Sequence, residues 1–197
     1  MPKGIPLTPD NLDRRRHEIF ASTVNLFFAK GFRETSMREI ADAAGMGKSS
    51  LYDYFKTKDE ILVWAVEDEV SDLTKAAQEI ALRPLPAIDR LEQVMRLHLD
   101  FLVSRKEFYQ KLSFEVQRLD IESQQRIQVK RHAYQDLVRR LIEEGIHEGS
   151  FRPVDTLLAA RTLITMLTPT IFTSRPTGTP EEMFSLAFDI MMKGIQA

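Results

Sequence analysis

The sequence predicts an all-α chain: a small N-terminal head of three helices followed by a larger C-terminal helical body. Three observations carry this. Apolar residues recur at helical spacing along the chain, and no segment alternates convincingly as a strand would. Ser36/Glu39, Thr57/Glu60 and Thr179/Glu182 each have the Ser/Thr–x–x–Glu spacing that starts a helix, while glycine or proline stands where the apolar runs stop. The 197 residues are 43% hydrophobic and 28% charged, ordinary globular composition on a chain long enough to bury a core.

Thr8 before Pro9 reads as an N-cap with proline in the first turn. The helix it opens carries Leu12, Ile19, Phe20, Thr23, Leu26 and Phe27 and stops at Gly31. Ser36 and Glu39 then form a capping box for a helix starting at Met37, whose apolar face is Met37, Ile40, Ala41 and Ala44. Gly45 ends it, since glycine tolerates the left-handed backbone of a sharp helix exit. Gly47 caps a third helix, expected from Lys48 to about Tyr54. Helix, short glycine turn and helix make a helix-turn-helix unit, whose second helix enters the DNA major groove. Lys48, Ser49 and Ser50 stand at the N-terminal end of that helix. Lys48 can donate to guanine, and the serines let the backbone approach. Leu51 and Phe55 suit packing. Asp53 would repel phosphate and either points away, the favoured reading, or accepts from a cytosine amino group. Arg14, Arg15 and Arg16 are candidates for phosphate contact.

These residues resemble the DNA-binding domain of the TetR/AcrR family of bacterial transcriptional regulators. The family's ordered elements stand here as Phe27 to Phe32, Thr35-Ser36, Ile40-Ala41, Ala44-Gly45, Leu51-Tyr52-Asp53-Tyr54-Phe55 and Thr57-Lys58. The resemblance covers roughly a quarter to a third of the chain, and its order and near absence of gaps make it specific. It implies DNA binding through residues 9–58, with Thr35, Tyr52, Tyr54 and Lys58 on phosphate-contact positions. The expected DNA-binding set is therefore Thr35, Ser36, Gly47, Lys48, Ser49, Ser50, Tyr52, Tyr54 and Lys58.

Charge distribution agrees with this division. Residues 1–58 hold ten Lys/Arg against seven Asp/Glu, a balance of +3, and residues 59–197 balance at −5. A basic head on an acidic body suits a nucleic-acid reader.

Residues 59–197 form the expected body. Its first helix runs from Lys58 through Ile61, Leu62, Trp64, Val70, Leu73 and Ala77 until Pro84 and Pro86 end it. Ile88 to Leu102, Phe108 to Val116 and Ile127 to Ile146 mark the next three, the last ending at Gly149. A turn over residues 149–153 leads to a helix through Leu157, Leu163 and Leu167. Thr179-Pro180-Glu181-Glu182 opens the last. That helix is apolar on more than one side, which requires burial on two faces. The family resemblance implies dimerisation through the last two long helices, with Leu163, Leu167, Phe184, Phe188 and Met191 as the expected interface. It also implies an effector pocket among the middle helices, for which Trp64, Met95, His98, Phe101, Tyr109, Gln117 and Tyr134 are the candidates.

Other chemistry is poorly represented. The chain has no cysteine, so disulfides and thiol catalysis are out, and a reducing cytoplasm is the expected setting. The longest apolar stretch, Leu163 to Phe172, is interrupted by threonines and Pro169, and no secretory h-region is read at the N-terminus. Glycine-rich phosphate loops, nucleophile elbows and histidine clusters are missing. Glu144 and His147 have Glu-x-x-His spacing, but carboxylate-bridged metal bundles need two such motifs and two further glutamates. No enzymatic activity, cofactor or metal is expected. The expected partners are an operator with an inverted repeat, a small-molecule effector and a second copy of the chain, with no membrane. A dimeric DNA binder without an effector and a small helical enzyme or metal protein are the alternatives.

Overall fold

A computed structural model describes residues 8–195 (backbone only at 9, 10, 170 and 171). Among these the regular elements are helices: α1 (Pro9–Lys30), α2 (Met37–Ala43), α3 (Lys48–Leu51), α4 (Lys58–Ala81), α5 (Ala87–Ser104), α6 (Lys106–Val116), α7 (Ile121–His147), α8 (Thr156–Thr165), α9 (Thr168–Phe172) and α10 (Pro180–Ile195). The chain forms two compact units. The first comprises residues up to Val66 together with Lys111–Gln124, and the second Glu67–Gln110 and everything from Gln125. No helix is long and apolar enough to cross a membrane among the described residues.

The first unit closes around Ile19, Phe27, Ile40, Leu51, Phe55, Ile61 and Leu62, all buried. The second is built on α5 and α7, whose Leu91, Val94, Met95, Leu99, Leu137, Val138, Leu141 and Ile142 form one cluster with Leu163, Phe184 and Phe188. At its end α7 meets Phe151 through Gly145, where a side-chain methyl would stand 2.3 Å from the Phe151 ring. Arg90 ties α5 to α7, pairing with Glu144 at 2.7 Å and Glu148 at 3.4 Å and donating to the Ala81 carbonyl at 2.8 Å. Glu144 thus serves an ion pair.

Three sequence expectations change. The third helix ends at Leu51, because the N–H groups of Asp53 and Tyr54 bond three residues back, to Ser50 and Leu51, in a tightened last turn. The Glu60 carboxylate closes on the Lys56 N–H at 2.6 Å, one residue before the Thr57 cap, whose hydroxyl accepts from Glu60 N–H at 3.0 Å. The helix expected through Leu167 stops at Thr165 and restarts as α9 with Pro169 in its first turn.

The expected dimer contacts also need correction. Leu163, Leu167, Phe184 and Phe188 are buried within the chain's own core, and Met191 is half-buried. Phe184 stacks on Phe188 at 5.4 Å and carries the Arg96 guanidinium 4.9 Å above its ring. The free apolar face of α10 is instead Leu186, 62% exposed, and Ile190, 73% exposed, with Leu158 of α8 also open. Helical spacing puts 184, 188, 192 and 195 on one face and 186 and 190 on another. Periodicity revealed both faces without saying which the chain itself covers.

Candidate nucleic-acid interface and ligand cavity

The capping box of α2 forms as expected: Glu39 Oε2 accepts from the Ser36 N–H at 2.9 Å, and the Glu39 N–H donates to Ser36 Oγ at 3.3 Å. Lys30 Nζ reaches Glu39 at 2.5 Å. That ammonium first, then the Ser36 backbone and hydroxyl, hold the exposed Glu39 carboxyl down at about 2. The negative charge sits on the N-terminus of α2, where the helix dipole favours it.

After Ala44 the chain takes a left-handed step at Gly45 (φ +63°). Met46 N–H then reaches back to the Ala41 carbonyl at 3.0 Å and Gly45 N–H to that of Asp42 at 3.2 Å, the paired bonds of a Schellman exit. Gly47, extended at φ −69° and ψ 147°, caps α3. Leu51 and Phe55 anchor α3 from below as fully buried residues, which leaves Gly47, Lys48, Ser49 and Ser50 exposed on its other side. Lys48 Nζ lies 5.8 Å from the centre of the half-buried Tyr52 ring. Asp53 is exposed, and Tyr54 is half-buried.

Two expected phosphate ligands face inward. Thr35 is 2% exposed and its hydroxyl donates to the Gly31 carbonyl at 2.7 Å. Lys58 Nζ donates to the carbonyls of Phe32 and Arg33 at 2.8 Å each and of Thr35 at 3.2 Å, and lies 4.9 Å from the Phe32 ring centre. An ammonium has three protons, so this one is saturated. Both residues build the α1–α2 loop. The arginines of α1 are used similarly. Arg15 pairs with Glu18 and reaches the Ala44 carbonyl at 3.5 Å, and Arg16 donates to the Tyr54 carbonyl at 3.3 Å with its guanidinium 5.3 Å from the Phe55 ring centre. They grip the exits of α2 and α3, while Arg14 bonds Asn11. Sequence reading passed over Arg38, exposed on α2 with no ion pair among the described residues. Its signal was a basic residue on the polar side of the first helix of the motif.

The second unit encloses a cavity of ≈ 270 Å³, near the lower end of small-molecule sites. Of the candidates, His98, Phe101, Tyr109 and Tyr134 line it. Met95 is fully buried in the core cluster. Trp64 lies in the first unit, edge-on to His17 at 4.9 Å and Phe55 at 5.7 Å, and Gln117 in the same unit accepts from Gln124 Nε2 through its carbonyl. Aromatic content gave no means of separating wall from core. The remaining wall includes Val70 and Leu73 of α4, Leu102, Ile164, Thr165 and Thr168, together with Arg131 and Gln135, neighbours of Tyr134 on one face of α7.

The polar members of this wall are unusual. Burial alone pushes the His98 imidazole down to about 4, so it is neutral at neutral pH, and burial pushes the Tyr134 phenol upward. Yet His98 Nδ1 and Tyr134 Oη have no hydrogen-bond partner among the described residues, although the two rings meet edge-on at 5.1 Å. Each unpaired buried polar group costs about 1–3 kcal/mol. Arg131 makes no ion pair among the described residues. The arrangement suits holding a molecule, with polar groups ready for one and an apolar surround.

Residues 19–63 match the family described as bacterial regulatory proteins, tetR family, and residues 84–195 match that described as tetracyclin repressor-like, C-terminal domain. Among curated relatives, the HTH-type transcriptional repressor KstR2 of Mycolicibacterium smegmatis is 26% identical over 75% of this chain and 73% of its own. The crystal structure of the TetR family regulator PfmR from Thermus thermophilus superposes with a TM-score of 0.74 at 26% identity, covering 91% of this chain and 99% of that one. FadR from Bacillus subtilis, solved with stearoyl-CoA, has the same fold, with a TM-score of 0.79 at 20% identity over 91% of this chain and 99% of FadR. The chain therefore belongs to the TetR family of bacterial regulatory proteins, and is a DNA-binding transcriptional regulator with a helix-turn-helix head and a helical C-terminal domain.

Proposed function

We propose that the protein is a cytoplasmic, homodimeric repressor that binds an inverted-repeat operator and leaves it when a small molecule enters the second unit's cavity. Functionally the chain divides at residues 58 and 59, into a reading head and a sensing and dimerising body. Lys48, Ser49 and Ser50 read base edges, Gly47 brings the first backbone N–H groups of α3 toward phosphate, and Tyr52, Tyr54 and Arg38 contact the DNA backbone, while Ser36, bonded to Glu39, caps α2 instead of binding DNA. Thr35 and Lys58 position the loop that orients them. Leu158, Leu186 and Ile190 meet their counterparts across the dimer axis.

The observation that carries the effector reading is the course of α4. This single helix holds the loop before α2 through Lys58, packs Trp64 against the Phe55 anchor of α3, and contributes Val70 and Leu73 to the cavity wall. A ligand that displaces the wall acts on the same helix that carries Lys58 and Trp64 in the first unit. Two heads that must match a fixed groove spacing tolerate little such movement. The relative KstR2 is a repressor, which supports the sign of regulation.

Linkage supplies the test. If ligand weakens DNA binding by some factor, DNA must weaken ligand binding by the same factor. An operator selected from a random duplex pool and a ligand found by thermal shift allow both affinities to be measured with and without the other partner. Equal ligand affinities in the two states would leave a dimeric DNA binder whose body does not control its head.

A further inference from the structure

The cavity wall carries more chemistry than an apolar ligand would need. His98 Nδ1 and Tyr134 Oη are buried without a partner among the described residues, on α5 and α7, and both side chains form part of the wall. Arg131, one turn before Tyr134 on α7, lines the same wall and makes no ion pair among the described residues. Val70, Leu73 and Ile164 supply apolar surface around them. Native proteins rarely leave such atoms unmatched, so each calls for a partner or a role.

We infer that the cavity takes a compact apolar ligand with an anionic group at Arg131 and one neutral oxygen function, a hydroxyl or carbonyl, that pairs with His98 and Tyr134. A neutral imidazole and a phenol offer both a donor and an acceptor, which a hydroxyl or a carbonyl oxygen can use. Nδ1 and Oη are both buried, so the ligand reaches them by displacing a neighbouring wall side chain. The volume of ≈ 270 Å³ suits a short or medium body better than a long saturated chain. The anion is a carboxylate or a phosphate, since a guanidinium binds either. This assignment rests on the cavity being the effector site.

The test uses the full-length dimer and two probe series: decanoate with decanoates bearing one hydroxyl at successive chain positions, and the coenzyme A thioesters of the same acids. In the series that binds, one hydroxylated member should bind about tenfold tighter than its parent, the worth of one well-made hydrogen bond. Whether the free acids or the thioesters bind identifies the anion as carboxylate or phosphate. Tyr134→Phe keeps the ring and removes the unpartnered hydroxyl. It should leave the melting temperature unchanged or raised, leave the parent's affinity intact and bring the preference to about one. Arg131→Gln should weaken parent and hydroxylated probes alike. Parents bound as tightly as every hydroxylated member, a preference that survives in Tyr134→Phe, or no binding by any probe would each overturn the inference. A probe that binds with the expected preference yet leaves operator affinity unchanged would uphold the anchor pair and remove the effector reading instead.

Discussion

The Arg16 guanidinium on α1 donates to the Tyr54 carbonyl at the exit of α3, at 3.3 Å, and in the same position covers the buried Phe55 ring. A residue outside the helix-turn-helix thereby fixes the end of a recognition helix only four residues long. So short a helix has little stability of its own, and its orientation depends on what holds its ends.

Arg16→Ala should therefore lower operator affinity about tenfold, because α3 loses one charge-assisted hydrogen bond that orients it. The dependence of affinity on salt should stay as steep as in the unmodified protein, since no phosphate contact is removed. Fluorescence anisotropy titrations across a range of salt concentrations measure both. A slope shallower by about one would instead make Arg16 a phosphate ligand.

Lys58 is placed to stabilise rather than to bind. Lys58→Met leaves three loop carbonyls without their donor and should cost about 1–3 kcal/mol in urea unfolding, with the salt slope of DNA binding unchanged. Arg38→Ala should behave oppositely, keeping stability and flattening the slope by about one. Lys48→Ala should relax base preference at one operator position. Identical behaviour of the Lys58 and Arg38 variants in the two assays would refute this division of roles.

The proposed dimer face of α10 separates from its core face by substitution. Leu186→Glu with Ile190→Glu should give folded monomers, since both side chains are exposed in the single chain. Phe188→Glu, at a position only 7% exposed, should give unfolded protein, because an unpaired charge is forced into the core. Sedimentation velocity and circular dichroism distinguish the outcomes. A Leu186/Ile190 variant that remains dimeric would move the interface elsewhere.

His98 makes stability depend on pH. Its folded-state value of about 4 lies below the ordinary 6.5, so between those limits the unfolded chain binds a proton that the folded chain does not. Stability is then complete above about pH 6.5 and falls as the pH drops toward 4, by about 3 kcal/mol. The Tyr134 phenol it meets edge-on on α7 does not alter the sign, since burial raises that group and it stays neutral in this range. His98→Leu should flatten this slope relative to the unmodified protein in urea melts at pH 7 and pH 4.5, the exposed histidines cancelling in the comparison. Parallel losses in both proteins would mean that the imidazole is charged when folded.

Much of the head was legible in the sequence because its determinants are local. A capping box needs only Ser36 and Glu39 three residues apart, and a sharp exit needs only a glycine at residue 45. Leu51 and Phe55 were readable as anchors from their spacing on a single turn. Four of the seven cavity candidates do line the cavity, whereas Trp64, Met95 and Gln117 do not. An aromatic or thioether side chain at helical spacing looks the same whether it faces a void, a neighbour or another unit.

The sequence by itself determined where α1, α2, α4 and α10 begin, the helix-turn-helix, the basic head and the existence of a two-faced final helix. These follow from short-range hydrogen bonds, backbone conformational limits and periodicity. Only the tertiary structure decided that Lys58 is saturated by three carbonyls, that Arg15 and Arg16 grip helix exits, that Phe184 and Phe188 belong to the core while Leu186 and Ile190 do not, and that His98 and Tyr134 stand unpartnered in a cavity wall. Each of those outcomes depends on which distant residue arrives to cover or pair a group. That is set by packing between helices far apart in the chain, which no spacing within one helix records.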